Sequence, residues 1–305
     1  MNSLAALIKR EYLEHRGAFL YAPAILLLLF ALAFGSSLAT NKMRIPFDVD
    51  VTEAMKFFEL AFLGMGALWL AYLMVALFFY YADAFNADRR NNALLFWKSM
   101  PQSDFKMLMS KMLAGITILP ALIFAAFIVT GLVLYGLTAL AVTLLPMLQV
   151  PGLGQVIASS GEMGLLAIVY LALSLLWYAP FFAFVGLLST MVGRWSIPLA
   201  FLIPGLAILV ENLLVRGLIG IVGSVLVPGS PKAGYIFDYL SSRFSFGFTQ
   251  QQFERVFMRD PSIDAMRMIT ELVANIDWVQ MTGGLIVAVL FVFLASEYRR
   301  RVISS

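Results

Sequence analysis

The chain has 305 residues, of which 61% are hydrophobic and only 13% charged, with a mean hydropathy of +0.89. A soluble protein of this length has too little interior to hide so much apolar surface, which excludes a soluble enzyme and a disordered chain. The absence of cysteine excludes a disulfide scaffold, iron–sulfur clusters and thiolate metal sites, and a single histidine, His15, removes most histidine chemistry.

Residues 1–16 place Leu4, Leu7, Ile8 and Tyr12 on one helical face, with Lys9, Arg10, Glu14 and Arg16 around the rest. The pattern predicts a helix lying along the inner membrane face, or a solvated helical leader. An uncharged run follows at 17–41. Ser37-Leu38-Ala39 imitates a signal-peptidase site, but the run is too long for a signal h-region and the leader holds Glu11 and Glu14. The segment is therefore taken as the first span, about 18–39.

Further uncharged runs occupy 60–82, 112–161, 163–193, 195–210 and 278–296. About 20 apolar residues are needed to cross a hydrocarbon core of about 30 Å. Six spans are expected, at about 18–39, 60–82, 112–135, 165–188, 196–215 and 278–296. Residues 136–162 read as an uncharged interfacial loop or helix, and 217–231 as a re-entrant or interfacial segment. Pro180 falls inside the fourth span and predicts a local kink.

Six spans put both termini on one side. With the termini inside, the inner segments hold 12 of the 21 basic residues and six of the 18 acidic ones, at greater basic density than the outer segments. The positive-inside rule then makes the termini cytoplasmic. The outer region 216–277 is the largest hydrophilic part. There, Asp260-Pro261 predicts an N-cap and first-turn proline, followed by an amphipathic helix with Met266, Ile269, Val273 and Ile276 on its apolar face. Ser241–Phe248 reads as an interfacial loop.

The inner loop Asp83–Lys111 is the most informative stretch. Leu94-Leu95-Phe96-Trp97 stand together among five positive and three negative charges. Such a cluster either lies in the interface or docks on another protein. Pro101 suits the first turn of a following helix, so the loop reads as a helix–turn–helix elbow.

No P-loop motif occurs, so ATP is not bound in that way by this chain. Gly152-Leu153-Gly154 lacks the third glycine of a dinucleotide fingerprint and reads as a turn. The span interiors carry no ionisable residue, with Asp83, Glu162, Arg194 and Glu211 at expected ends. Glu211 is the best candidate for a functional carboxylate, paired with Arg216, or else an ordinary capped interfacial acid. An intramembrane enzyme is disfavoured, because paired polar catalytic residues are missing.

Asp88-Arg89-Arg90, then Leu95-Phe96-Trp97-Lys98-Ser99-Met100-Pro101-Gln102-Ser103-Asp104, then Lys111 opening a span, resembles the permease subunits of ABC-2 type exporters. Ile8–Arg16 is similar to that family's interfacial helix. Asn91 and Asn92 stand where many relatives carry glycine. The resemblance implies an all-α membrane protein with six transmembrane helices of ABC-2 (type V exporter) type, forming one transmembrane domain over 1–305. It implies a dimer, with a second copy or a paralogue, in the cytoplasmic membrane. No catalytic, metal or cofactor residue is expected in this chain; separate ATPase subunits would bind ATP and magnesium.

By the same resemblance, Asp88, Arg89, Arg90, Leu94, Leu95, Phe96, Trp97 and Lys98 form the main ATPase-coupling element, and Arg194 a second contact. Trp69, Tyr72, Ala76 and Phe79 share one face of the second span and, with Glu211, are candidates for the cargo path; the other reading is lipid-facing or packing aromatics. The implied function is ATP-driven export of an amphipathic, peptide or lipid-like cargo. The alternative is a membrane assembly or sensory subunit that binds an ATPase and moves nothing. Membrane lipid is an expected partner and nucleic acid is not.

Overall fold

The computed structural model describes residues 3–39, 54–90, 103–144, 152–214, 235–244 and 263–304. Every element among them is helical: α1 (Ser3–Arg16), a π-helical turn (Gly17–Tyr21), α2 (Ala22–Ala39), α3 (Ala54–Arg90), α4 (Asp104–Ile116), α5 (Ile118–Leu144), α6 (Leu153–Val192), a 3₁₀ turn (Gly193–Trp195), α7 (Ser196–Leu213), α8 (Tyr235–Phe244), α9 (Ala265–Ala274) and α10 (Trp278–Ser304). Five segments are long and apolar enough to cross a membrane: Ala6–Ser37, Phe58–Phe85, Phe105–Leu137, Leu153–Leu213 and Trp278–Arg301. The chain is a multi-pass transmembrane protein. Rows of exposed leucines and isoleucines along α2 and α7 suit lipid as the surrounding solvent.

Several boundaries differ from the sequence reading. The region 136–162, read as an interfacial loop or helix, is helical at 136–144, where the third span's helix α5 runs on to Leu144, and at 153–162, where α6 has already begun. The third crossing starts before Lys111, and its helix is interrupted at Thr117. Pro120 has no N–H for the carbonyl of Ile116, so the ladder breaks there. Thr117 bridges the break, its N–H bonding Leu113 O at 2.9 Å and its hydroxyl the same oxygen at 2.7 Å.

The fourth crossing segment contains both α6 and α7. They are separated at Gly193, whose φ of 59° is the left-handed conformation that glycine adopts without strain. The expected re-entrant segment 217–231 lies outside the described residues. Residues 241–244 belong to α8 rather than to a loop.

The chain forms two compact units, with α3, α4 and α6 contributing to both. The first comprises Met1–Leu77, Leu113–Leu175 and Phe248–Asp277. In it, α3 and α5 exchange large and small residues reciprocally. Phe62 of α3 lies over Gly131 of α5, while Phe127 of α5 lies over Gly66 of α3. The two rings stack at 4.3 Å with an interplanar angle of 8°. Trp69 Nε1 donates to Thr130 Oγ1 at 2.8 Å on the same seam.

The π turn has a local cause. Ala22 N–H bonds Gly17 O, which leaves Ala18 O without its ordinary donor. The next donor along would be Pro23, which has no N–H. The hydroxyl of Tyr72 from α3 donates to Ala18 O and fills that vacancy.

The second unit comprises Phe78–Met112, Leu176–Gly247 and Trp278–Ser305. Its centre is Tyr81, fully buried, stacked on Phe182 at 5.3 Å and edge-on to Phe85 at 6.3 Å. Phe85 in turn lies against Gly186, where an added Cβ would meet the ring at 2.9 Å.

The glycine seam gives a direct test. Gly131→Ala places a methyl 3.0 Å from Phe62 Cε2, and the ring cannot retreat because Phe127 is stacked behind it. The expected loss is about 1–3 kcal/mol, read as a lower thermal unfolding midpoint of the full chain in detergent. An unchanged midpoint would show that the seam has room to spare.

Candidate functional site

The expected coupling element begins where α3 ends. Asp88, Arg89 and Arg90 form its last helical residues, so the span helix continues into the loop that bears them. Leu94, Leu95, Phe96, Trp97 and Lys98, and the turn of the expected elbow, lie outside the described residues.

The base of this loop is tightly built. Tyr80 and Tyr81 sit side by side on α3, buried, and each donates its hydroxyl to a carbonyl of α4. Tyr80 reaches Lys111 O at 3.0 Å, and Tyr81 reaches Met112 O at 2.9 Å. Both bonds lie in an apolar interior, where an unmet hydroxyl or carbonyl is costly. They fix α4 against α3 on either side of the 91–102 connection. Lys111, expected at the foot of a span, is itself buried.

The second expected contact segment joins the same base. Ser196, the first residue of α7, is buried and its Oγ donates to Ala82 O of α3 at 3.4 Å. Arg194 and Trp195, in the 3₁₀ turn just before it, are exposed. The residue that follows the turn bearing Arg194 is thus hydrogen-bonded through its side chain to the helix bearing Asp88–Arg90, although 114 residues separate the two partners in sequence.

The expected path residues have other partners. Trp69 is 6% exposed and held by Thr130. Tyr72 is half-buried, edge-on to Trp69 at 6.0 Å, with its hydroxyl on Ala18 O. Phe79 is 55% exposed and rests on Phe78 at 5.7 Å. Trp69 and Tyr72 therefore belong to packing seams of the first unit, and Phe79 is presented outward. Glu211 caps a helix: both carboxylate oxygens accept from Ile236 N–H in the first turn of α8, at 3.1 and 2.8 Å. A carboxylate there complements the positive end of the helix dipole. Arg216, its expected partner, is outside the described residues.

Sequence reading missed Glu59. It precedes the uncharged run of α3 and reads as an end residue, yet it is only 6% exposed. Its Oε1 accepts from Ser159 Oγ of α6 at 2.9 Å, and its Oε2 from Ile263 N–H at 3.2 Å. The donors lie 100 and 204 residues away, so no local pattern announces them. The bond to Ile263 holds the start of α9 in place. The N-cap of α9 is Asp264, whose side chain accepts from Arg267 N–H at 2.9 Å, not Asp260, which lies outside the described residues. The buried face is accordingly Ala265, Met268, Leu272 and Ile276, while Met266 and Val273 of the expected face are exposed. Only Ile276 is common to both.

Glu11, Glu14 and His15 present ligand atoms within 4.8 Å of one another on α1. They are also engaged along the helix: Arg10 pairs with Glu14 at 2.6 Å, and His15 Nδ1 lies 3.1 Å from Glu11 O. The apolar stripe expected on α1 is only half-buried at Leu7, Ile8 and Tyr12, and among the described side chains of α1 the buried one is Glu11.

Comparison with known protein families, with curated proteins and with solved structures finds no match to this chain.

The Glu59 junction predicts a split between two substitutions. Glu59→Ala strands the Ser159 hydroxyl and the Ile263 N–H, at a cost of about 1–3 kcal/mol. Glu59→Gln retains both bonds if its carbonyl accepts from Ile263 and its amide donates to Ser159 Oγ. Thermal unfolding should therefore place Glu59→Gln near the parent and Glu59→Ala well below it. Equal losses would show that the charge, rather than the two acceptor positions, holds the junction.

Proposed function

We propose that the chain is the membrane-spanning permease subunit of an ATP-driven exporter of the ABC-2 type, coupled to separate ATPase subunits. The observation that carries this reading is the loop between α3 and α4. Its charged and apolar residues, Asp88-Arg89-Arg90 and Leu94–Lys98, resemble the coupling element of that family. The loop is rooted by the Tyr80 and Tyr81 bonds to α4, and the turn bearing Arg194 is joined to the same base by Ser196. A load applied to the loop therefore reaches α3, α4 and α7 through hydrogen bonds rather than through a slack tether.

Other features support the reading. The segment Leu153–Leu213 has 61 residues, roughly 90 Å of helix, enough for two crossings with a reversal at Gly193. Counted so, the layout has six spans and both termini on the inner side, where the basic residues are denser. The sequence lacks a P-loop, so the energy for transport comes from a partner. A dimer, with a second copy or a paralogue, would complete the conduit. The apolar, charge-poor spans suit an amphipathic, peptide or lipid-like cargo better than a bare ion.

One observation favours the alternative of an ATPase-binding assembly or sensory subunit that transports nothing. Trp69, Tyr72 and Glu211 are engaged in packing or capping, so the residues expected to line a path serve structure. ATP-dependent movement of cargo in liposomes separates the two readings.

Reversing the charge of Arg89 and Arg90 to Glu should reduce ATP hydrolysis by the reconstituted complex at least tenfold, with the helical content of the chain unchanged by circular dichroism. Full stimulated hydrolysis in that variant would remove the assigned coupling role.

A further inference from the structure

The segment between α7 and α10 contains a further buried charge, and it organises a short helix. Arg243, in the last turn of α8, is 7% exposed. Its guanidinium lies over the indole of Trp177 with Cζ 4.4 Å from the ring centroid. Nη1 donates to Trp177 O of α6 at 3.0 Å, Nη2 to Gln280 O of α10, and Nε to Tyr239 Oη at 3.3 Å. The backbone is held as well, because Trp177 Nε1 donates to Arg243 O at 2.8 Å. No carboxylate pairs with this guanidinium among the described residues; its charge is met by carbonyl dipoles and by the face of an aromatic ring.

The seat is prepared on one side by a residue without a side chain. On α10, Gly284 leaves the space into which the guanidinium fits, and a Cβ built there would fall on Nη2, with Cζ at 3.2 Å and Nη1 at 3.3 Å. A planar fork reaching two helices through two carbonyls is a task for arginine and not for lysine.

The other end of α8 is held differently. Its first turn is fixed by Glu211 of α7, which is half-exposed and bonds one backbone N–H, that of Ile236. Ile236 forms one wall of an open, largely apolar groove that Glu211 also lines, together with Ile203, Leu206, Ala207, Val210 and Leu214. Among the described residues, one end of α8 is thus held at several points through the buried Arg243, and the other is exposed and held at one. We propose that α8 is a strap hinged at Arg243 and latched at Glu211. It opens from the Glu211 end, and in opening it carries Ile236 away from the groove. The inference rests on neither the transport reading nor the assignment of sides.

Hydrogen exchange read by mass spectrometry on the full chain in lipid nanodiscs tests this. The comparison is between the parent and Glu211→Ala, Arg243→Ala, Gly284→Ala and Arg243→Ala/Gly284→Ala, using peptides across 235–244 and a control within 286–295. Glu211→Ala is expected to speed exchange in the first turn of α8 about tenfold and leave the turn around Arg243 as in the parent. Arg243→Ala and Gly284→Ala are each expected to speed exchange across the whole of α8 about tenfold, and the double variant to match either single one. The control stays unchanged. Gly284→Ala adds one methyl group to a helix and keeps every polar group, so it decides the question if Arg243→Ala loosens the control peptides. Parent-like exchange of α8 in Gly284→Ala would overturn the hinge, and so would fully additive effects in the double variant. Uniform loosening of α8 in Glu211→Ala would overturn the latch.

Discussion

Lipid offers no hydrogen-bond partner, so a charge carried into the apolar body of this chain is costly unless it is met within it. Two charges are met mainly through the backbone. Glu59 is met by the Ile263 N–H and the Ser159 hydroxyl, and Arg243 by the carbonyls of Trp177 and Gln280. Each lies in a different unit, and each fastens a different piece of the polar segment that precedes α10: Glu59 the start of α9, Arg243 the end of α8. Burying an ion is costly, and leaving one half-met costs more, so such residues fix the chain to a single arrangement. The same constraint acts on neutral groups. Ala18 O, orphaned by the π turn before Pro23, takes the Tyr72 hydroxyl, and Thr117 bridges the break imposed by Pro120.

Between those polar points the spans are joined by shape. Glycines at 66, 131 and 186 leave room for Phe127, Phe62 and Phe85, so aromatic rings lie directly against helix backbones. Burial gives little advantage over lipid contact for an apolar side chain in a bilayer, and close packing of large on small is what remains to hold helices together. This explains why an aromatic-rich chain uses many of its rings internally, and why Trp69 and Tyr72 are packing residues although their spacing along α3 suggests a lining.

The charge gaps made the membrane-crossing segments legible, since exclusion of ions from hydrocarbon acts residue by residue. The break after Val192 was legible too, through Gly193 and Arg194. What failed were inferences that depend on distant partners. The apolar face of α9 was misassigned because the start of that helix is set by Asp264 and by a bond from Ile263 to Glu59, 204 residues away. Residues 136–162 left loop and helix both open because glycine and proline within them suggest turns, whereas Gly136 and Gly154 are accommodated inside helices. Arg243 sat in a Ser/Phe-rich stretch that looked interfacial, and nothing nearby indicated Trp177 or Gly284. Of the expected coupling residues, the structure describes the helix bearing Asp88–Arg90 and the turn bearing Arg194. It also adds what the sequence had not indicated, the base formed by Tyr80, Tyr81 and Ser196.

That base ties the functional proposal to the fold. Under that proposal the work comes from a separate subunit, and the loop that would receive it starts from helices joined by the Tyr80, Tyr81 and Ser196 hydrogen bonds. The most direct measurement is extraction of the full chain from its native membrane under mild conditions, followed by identification of the bound subunits and assay of ATP hydrolysis. The account predicts a P-loop ATPase in stoichiometric amount, with hydrolysis that falls when the chain is removed. An extract in which the chain is intact, carries no ATPase and hydrolyses no ATP would contradict it.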